Sequence, residues 1–154
     1  MERVIEKLIS ENKTISTMES CTGGGIVNAI TNIPDASRVI KFSAVTYSNE
    51  YKIKMGVSEE LINKYSVYSM EVARCMAKTI SDFTNSNYGV GVTGKLNKPD
   101  ENNPYGSNDV VYLSIYDQDN DRYSDIEIKL CFDDRIDNKN QIITTFINKI
   151  LEIL

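Results

Sequence analysis

The segment STMESCTGGG, residues 16–25, joins a stretch of alternating apolar and polar residues to three consecutive glycines. Residues 13–18 (KTISTM) alternate like a strand, and residues 24–31 (GGIVNAIT) have the apolar pattern of a helix that starts directly after the glycines. A strand that passes through a glycine-rich turn into a helix is typical of open α/β sheets, which bind ligands beyond the carboxyl ends of their strands. The segment therefore predicts both a fold class and a position for a site.

The rest of the chain continues the alternation of strands and helices. Further strands are predicted at 38–48, 87–94, 110–117 and 122–132, the last two joined as a hairpin by QDND at 118–121. Further helices are predicted at 2–11, 49–55, 59–65 after the cap Ser58, 70–84 after the cap Ser69, and 137–154. On helix 70–84 the inner face is predicted to hold Val72, Met76, Ile80 and Phe83. The pattern predicts an α/β sheet covered on both faces, with an antiparallel hairpin, in one domain spanning residues 1–154.

Composition and charge exclude several classes of protein. With 41% apolar and 25% charged residues in 154, the chain is expected to be soluble and globular. No apolar run approaches the roughly 20 residues that span a bilayer, and the charged start MERVIEKLISEN lacks the apolar core of a signal peptide. We therefore expect a cytoplasmic protein with no membrane role. The net charge of −5, without a Lys/Arg cluster, argues against nucleic-acid binding.

The absence of histidine restricts the chemistry further. It excludes Ser-His-Asp triads, Cys-His dyads and the usual metal sites that contain histidine. Three widely spaced cysteines, Cys21, Cys75 and Cys131, form neither a zinc ligand set nor a disulfide framework. The sequence therefore predicts no metal and no cofactor. Acid–base chemistry near pH 7 would require a perturbed Lys, Tyr, Asp or Glu side chain.

The glycine turn has two interpretations. Gly23, Gly24 and Gly25 would let a phosphate, carboxylate or oxyanion approach the unpaired N–H groups at the start of a helix, with the Ser20 hydroxyl aimed at the same spot. Alternatively, the glycines and the preceding threonine serve only as a turn and a cap, because a lone glycine-rich motif has many false positives.

A serine nucleophile without histidine needs another base, and a neutral lysine is the known substitute. Lys52, in TYSNEYK directly after the second predicted strand, is the candidate, and Tyr47 before it is a candidate to relay or orient a proton. Both would share an edge with Ser20 if the two strands are parallel neighbours. Taken singly, Tyr47 is equally an aromatic at the edge of the core and Lys52 a solvated surface charge.

Two long motifs together resemble a known family. TMESCTGGGIVNAITNIPDAS (17–37), followed by VTYSNEYKIKMGVSEE (45–60), resembles the C-terminal domain family of the competence/damage-inducible protein CinA. Its hallmark is T-A-E-S-C-T-G-G and then Y-[SA]-N-x-x-K about 25 residues later. The similarity continues through residues 65–77, GVGVTG at 89–94 and FDDR at 132–135, and so covers nearly the whole chain. The resemblance implies a three-layer α/β/α domain with a mixed, mostly parallel sheet.

The resemblance also implies an activity, the hydrolysis of the carboxamide of nicotinamide mononucleotide to nicotinate mononucleotide and ammonia. Matched by position, Ser20 would be the nucleophile, Lys52 the base and Tyr47 an assisting hydroxyl. The residues expected to bind the nucleotide are Cys21, Thr22, Gly23, Gly24, Asn49, Thr93, Gly94 and Arg135. The expected partner is this small-molecule nucleotide, and a homo-oligomer is expected from the family alone.

The chain departs from the family in one loop. Residues 94–112 read GKLNKPDENNPYGSNDVVY, where the family has the glycine-rich pattern G-I-A-G-P-x-G-G-T…K-P-V-G-T. The inner glycines are replaced by Leu96, Asn97, Glu101 and Asn102. In addition, Asp133 stands for a family glycine and Lys139 for a frequent arginine. Asp100 and Glu101 would repel a phosphate unless lysines at 95 or 98 offset them.

Three interpretations of this loop stay open. The enzyme acts on a different or smaller amide, the domain is a non-catalytic nucleotide-binding or regulatory module, or the segment is a drifted surface loop that never meets a substrate.

Overall fold

A computed structural model describes residues 1–154 as a five-stranded sheet with helices on both faces. The helices are α1 (Glu2–Ser10), α2 (Gly25–Thr31), α3 (Asn49–Lys54), α4 (Glu59–Tyr65), α5 (Met70–Thr84) and α6 (Arg135–Ile153), with a 3-10 helix at Ala36–Arg38. The strands are β1 (Ile15–Glu19), β2 (Ser43–Val45), β3 (Tyr88–Gly94), β4 (Val110–Asp117) and β5 (Arg122–Lys129). None of the helices is both long and apolar enough to cross a membrane.

The sheet has the strand order β2-β1-β3-β4-β5. β1 lies between two parallel neighbours, with Thr17 in register with Ser43 of β2 and with Val90 of β3. β4 is antiparallel to both β3 and β5. Four strands therefore run in one direction and β4 alone in the other, which confirms the predicted mixed, mostly parallel sheet and its hairpin.

Different helices cover the two faces of the sheet. α1, α2 and α6 pack on one face, where the larger core includes Leu8, Ile26 and Phe146. α5 packs on the other face with α4 beside it, and the smaller core there includes Met18 and Met76. The predicted three-layer α/β/α architecture is confirmed.

The glycines of β3 allow α5 to pack unusually close to the sheet. A Cβ on Gly89 would lie 2.0 Å from the Ala77 carbonyl oxygen, and one on Gly91 would lie 2.1 Å from that of Ala73. Alternate residues of a strand point to the same face, so both positions face α5. Any side chain there would push the helix away from the sheet. This contact gives a physical reason for the GVGVTG pattern.

Helix caps fix the elements that surround the site. The Ser48 side chain accepts from Tyr51 N at the start of α3, while Ser58 and Ser69 cap α4 and α5 as predicted. Asp134 caps α6 and starts that helix at Arg135, two residues before the predicted position. α3 therefore begins within a few residues of the end of β2.

Three predictions about the elements were wrong. The strand predicted at 38–48 is only Ser43–Val45: a 3-10 helix extends to Arg38, residues 39–42 belong to no helix or strand, and Ser48 is already the cap of α3. The strand predicted at 122–132 ends at Lys129. Phe83 does not face the core: its side chain is 64% exposed and packs against Phe42, with ring centroids 5.4 Å apart.

Candidate active site

Ser20 and Lys52 meet at the carboxyl end of β1. Ser20 directly follows the strand, and its N–H donates to the Val92 carbonyl of β3. Lys52 lies on α3 and is only 1% exposed, so its side chain points inward. Its Nζ donates to Ser20 Oγ at 3.1 Å and to the Thr46 carbonyl oxygen at 2.7 Å. The contact supports the predicted pairing of these two side chains, since a base must lie within about 3.2 Å of the proton it takes.

The environment of Lys52 favours its neutral form. Burial lowers the pKa of the amine from its ordinary 10.5 to about 8, although the negative charge of Asp100 acts in the opposite direction. Both hydrogen-bond partners of Nζ are neutral, and no carboxylate contacts it. Roughly a tenth of the amines are neutral at pH 7 and about half at pH 8. A neutral amine can donate to Thr46 and accept the Ser20 proton at the same time.

Glu19 fastens the start of α2 to the end of β1. Its fully buried carboxylate accepts from the hydroxyls of Thr17 and Thr22 at 3.1 and 2.6 Å. It also accepts from the N–H groups of Ile26 and Val27 at 3.0 and 2.8 Å. The first N–H groups of α2 therefore already donate to a side chain of the protein. The sequence suggested that they would be free to bind a ligand, and this expectation was wrong.

Other N–H groups of the turn remain available. Those of Gly23 and Gly25 donate to carbonyl oxygens within the turn. Those of Cys21, Thr22 and Gly24 donate to no protein atom. Of these three residues Cys21 alone lines the cleft, so its N–H is the candidate donor to an oxyanion formed at Ser20.

The turn requires its glycines. Gly23 and Gly24 have φ of +64° and +89°, the left-handed region that favours glycine. The Lys139 ammonium lies 3.3 Å from where a Cβ on Gly23 would be. Lys139 is thus packed over the turn from α6, which brings a positive charge to the backbone beside Ser20.

Tyr47 lies at the mouth of the site, not between Ser20 and Lys52. Its side chain is 64% exposed, and its hydroxyl accepts from Arg135 Nη2 at 3.0 Å. Because Lys52 contacts Ser20 directly, the expected relay through Tyr47 is not needed to connect the two. An assisting role for Tyr47 stays a prediction. Its hydrogen bond with Arg135 joins the end of β2 to the start of α6.

A cleft of about 670 Å³ opens onto the Ser20–Lys52 pair. Four of the residues predicted to bind the nucleotide line it: Cys21, Asn49, Gly94 and Arg135. The other four do not: Thr22, Gly23, Gly24 and Thr93. Thr22 donates to Glu19, and Thr93 donates to the Val67 carbonyl oxygen at 3.0 Å, so both hydroxyls serve the fold.

Cys21 lies in the cleft wall but is buried. Burial raises the pKa of its thiol to about 12. A thiol in that range is protonated at neutral pH and is a poor nucleophile. This agrees with the expectation that Ser20, not Cys21, would attack.

The loop after β3 lines the cleft, so it is not a surface segment remote from the site. Leu96 and Asn97, two of the residues that replace family glycines, have φ of +53° and +62°, the left-handed region that favours glycine. Lys95 is buried and donates to the carbonyl oxygens of Pro104 and Gly106 at 3.2 and 3.1 Å. The Lys95 ammonium thus joins the start of the loop to residues 104 and 106 near its end. The sequence did not predict this arrangement.

A chain of polar contacts ties this loop to the rest of the site. The Asp100 carboxylate accepts from the Tyr68 hydroxyl and from Asn103 Nδ2, and Asn103 Oδ1 accepts from Asn49 Nδ2 at 2.7 Å. Asn49 is the first residue of α3, the helix of Lys52. Sequence separations of 32 and 54 residues hide these contacts from any local pattern.

The cleft is more positive than the chain as a whole. Its lining includes four cationic side chains, Lys52, Lys95, Lys98 and Arg135, and two carboxylates, Asp100 and Glu101. The chain as a whole has a net charge of −5. No group of three His, Cys, Asp or Glu side chains in it is arranged to bind a metal ion. The cleft is therefore suited to a ligand with at least one anionic group.

Comparison with known proteins identifies the family. The model of the CinA C-terminal domain matches residues 1–154, so the chain belongs to the CinA C-terminal domain family. A Clostridium kluyveri protein named competence-damage inducible is 40% identical over 120 residues, which are 77% of this chain and 29% of that protein. A CinA-like protein of Flavobacterium psychrophilum is 42% identical over 119 residues, 75% of this chain and 28% of that protein. The chain spans less than a third of the length of these relatives.

Solved structures agree on the fold. A CinA superfamily protein from Klebsiella pneumoniae has a TM-score of 0.89 at 20% identity, covering 98% of this chain and 92% of that one. A competence/damage-inducible protein from Agrobacterium tumefaciens has a TM-score of 0.82 at 26% identity, covering 99% and 92%. These likenesses extend over nearly the whole sheet and its helices.

Proposed function

We propose that the chain is an amidase that hydrolyses the carboxamide of nicotinamide mononucleotide, giving nicotinate mononucleotide and ammonia. One observation above all supports this proposal: the buried Lys52 amine, with its pKa lowered by burial to about 8, lies 3.1 Å from Ser20 Oγ at the end of an accessible cleft. A hydroxyl paired with an amine that is partly neutral is the arrangement that Ser-Lys hydrolases use.

The reaction would proceed in two halves. Neutral Lys52 takes the proton of Ser20 as Oγ attacks the carboxamide carbon, and the N–H of Cys21, which lines the cleft and has no protein acceptor, stabilises the negative oxygen of the tetrahedral intermediate. Protonated Lys52 then returns the proton to the departing nitrogen, so that ammonia leaves and an ester forms on Ser20. Water attacks this ester with Lys52 again as the base. The acid product and the free Ser20 hydroxyl are released.

The cleft also suits the phosphate of this substrate. Arg135 and Lys98 are exposed cations at its lining, and Lys139 is packed over the adjacent turn. Arg135 gives up only a contact with the neutral Tyr47 hydroxyl when it binds an anion. A guanidinium held in this way is a ready partner for phosphate oxygens.

The test is ammonia release from nicotinamide mononucleotide by the natural chain and by Ser20→Ala and Lys52→Ala. We expect release that is lost by at least about a hundredfold in both variants, because each removes a group that takes part in bond making. Lys54→Ala is the matched control, since Lys54 lies on the same helix but is exposed and pairs with Glu50. No release by the natural chain at high enzyme concentration, or equal release by Ser20→Ala, would contradict the proposal.

A second candidate is a nucleotide-binding module without catalysis. The observation that favours it is the loop 95–109, where the family glycines are absent and Asp100 and Glu101 face the cleft. A calorimetric titration with the same nucleotide separates the two. Binding by the natural chain without any release of ammonia would favour the module.

A further inference from the structure

The Asp100 carboxylate is held in the cleft by three donors. It accepts from the Tyr68 hydroxyl, from Asn103 Nδ2 at 2.8 Å and from Asn102 N at 3.0 Å. The Tyr68 and Asn103 contacts hold the pKa of this carboxyl below its usual range, so it is ionised at neutral pH. A flexible surface carboxylate would move freely, whereas this one is fixed.

The fixed charge lies near the reacting groups. Asp100 and the Ser20–Lys52 pair line the same cleft. The Asp100 charge is one of those that oppose the lowering of the Lys52 pKa, so its field reaches the amine. Through Asn103 and Asn49 the loop is also bonded to the first residue of the helix that bears Lys52. Any amide placed at Ser20 therefore has a stationary negative charge close to it.

The cleft thus has two poles. Arg135, whose charge acts on the neighbouring Cys21, supplies the positive pole together with Lys98. Asp100 supplies the negative pole. A purely anionic amide would be repelled by one pole, and a purely cationic one by the other. A ligand with a cation next to the amide and an anion further away satisfies both.

We propose that Asp100 is a specificity-determining residue that selects carboxamides attached to a positively charged ring, with the anionic end of the ligand at Arg135. The inference rests on the proposed amidase function and adds to it the residue of this chain that would recognise the charge of the substrate ring. Nicotinamide mononucleotide has such a ring, a pyridinium. Its 1,4-dihydro form keeps the amide, the ribose and the phosphate but has a neutral ring, so the two nucleotides differ in the charge that Asp100 would recognise.

The experiment measures binding of these two nucleotides by calorimetry, using the full chain with Ser20→Ala so that neither is turned over. We expect the cationic form to bind roughly fivefold more tightly, the effect of a partly exposed charge pair. Adding Asp100→Asn is expected to reduce this preference to about one, with the affinity for the neutral form changed less than about twofold.

Two further variants separate charge from structure. Glu101→Gln makes the same change of charge at the neighbouring residue, which lines the cleft but makes no hydrogen bond, and it is expected to keep most of the preference. Tyr68→Phe removes one of the bonds that hold Asp100 while keeping its charge, and it is also expected to keep most of the preference. An equal loss of preference in Asp100→Asn and Glu101→Gln would overturn the proposal, as would an equal loss of affinity for both nucleotides in Asp100→Asn.

Ammonia release by the natural chain, measured in parallel, distinguishes this inference from the amidase proposal. A preference for the cationic form that depends on Asp100, without ammonia release, would support the inference and contradict the amidase. Ammonia release without such a preference would support the amidase proposal and contradict the inference about Asp100. Failure of both nucleotides to bind would overturn the assignment of Asp100.

Discussion

Replacing Lys52 by Met is expected to abolish ammonia release and, at the same time, to stabilise the fold at neutral pH. Burial lowers the pKa of this amine from 10.5 to about 8, so the charged form is less favourable in the folded chain than in the unfolded one. At about 1.4 kcal/mol per pKa unit, the difference costs about 3 kcal/mol at pH 7. Met has a similar unbranched shape and no charge, so it removes this cost.

Part of this gain in folding stability is lost because the Thr46 carbonyl loses its hydrogen-bond donor. Lys52 Nζ donates to the Thr46 carbonyl oxygen at 2.7 Å, and an unpaired buried acceptor costs about 1 kcal/mol. The net gain at pH 7 is therefore about 2 kcal/mol. Because the folded pKa lies below the unfolded one, the unfolded chain holds more protons between pH 8 and 10.5, and the natural chain gains stability as the pH rises through that window. By the upper end of the window the advantage of Met is gone.

Urea denaturation of both chains at pH 7 and pH 10 measures the free energies of unfolding. Lys54→Met, on an exposed position of the same helix, is the control and is expected to change stability by less than about 0.5 kcal/mol. A Lys52→Met chain that is less stable than the natural one at pH 7 would refute the reasoning. So would a gain that is as large at pH 10 as at pH 7.

Three other results follow from the same contacts. With Lys52 as the base, kcat/KM for amide hydrolysis is expected to rise about tenfold between pH 7 and pH 9, through a pKa of about 8, and a flat profile would exclude Lys52 from this role. In Glu19→Gln the new side-chain amide NH2 would face donors that bond to the carboxylate in the natural chain. We expect this change to lower the free energy of unfolding by about 2–4 kcal/mol in urea titrations, and an unchanged midpoint would contradict the capping role. Gly91→Ala places a Cβ 2.1 Å from the Ala73 carbonyl oxygen and is expected to cost about 2–4 kcal/mol in thermal unfolding, so a shift in Tm below about 2 °C would show that α5 can move away.

The meeting of Ser20 and Lys52 could be predicted from the sequence on one condition, that the first two strands are parallel neighbours. β1 and β2 are parallel neighbours, so both of their carboxyl ends reach the same edge of the sheet. The cap at Ser48 then turns α3 back immediately, which brings Lys52 over Ser20. The second step is local, whereas the first joins positions as far apart in the sequence as Thr17 and Ser43.

Other features depend on contacts that local patterns cannot show. The period of α5 places Phe83 on the inner face, but its last turn faces Phe42 and solvent instead of the sheet. Tyr47 follows the buried Thr46 and points outward to Arg135, 88 residues away. The Asp100 network is similarly long-range. The composition of its loop suggested only that the family glycines were lost, whereas the structure shows a left-handed backbone at two of the replaced positions, Leu96 and Asn97.

Three ionisable side chains lie within three residues of Ser20 or in contact with it, and their partners give them different roles. Glu19 accepts four hydrogen bonds and joins β1 to α2. Cys21 has its pKa raised by burial to about 12, so it stays a thiol. Lys52 is buried with only neutral partners, and its pKa of about 8 is the one that lies near physiological pH. The same burial that makes this lysine costly for the fold makes it the group able to take a proton from Ser20.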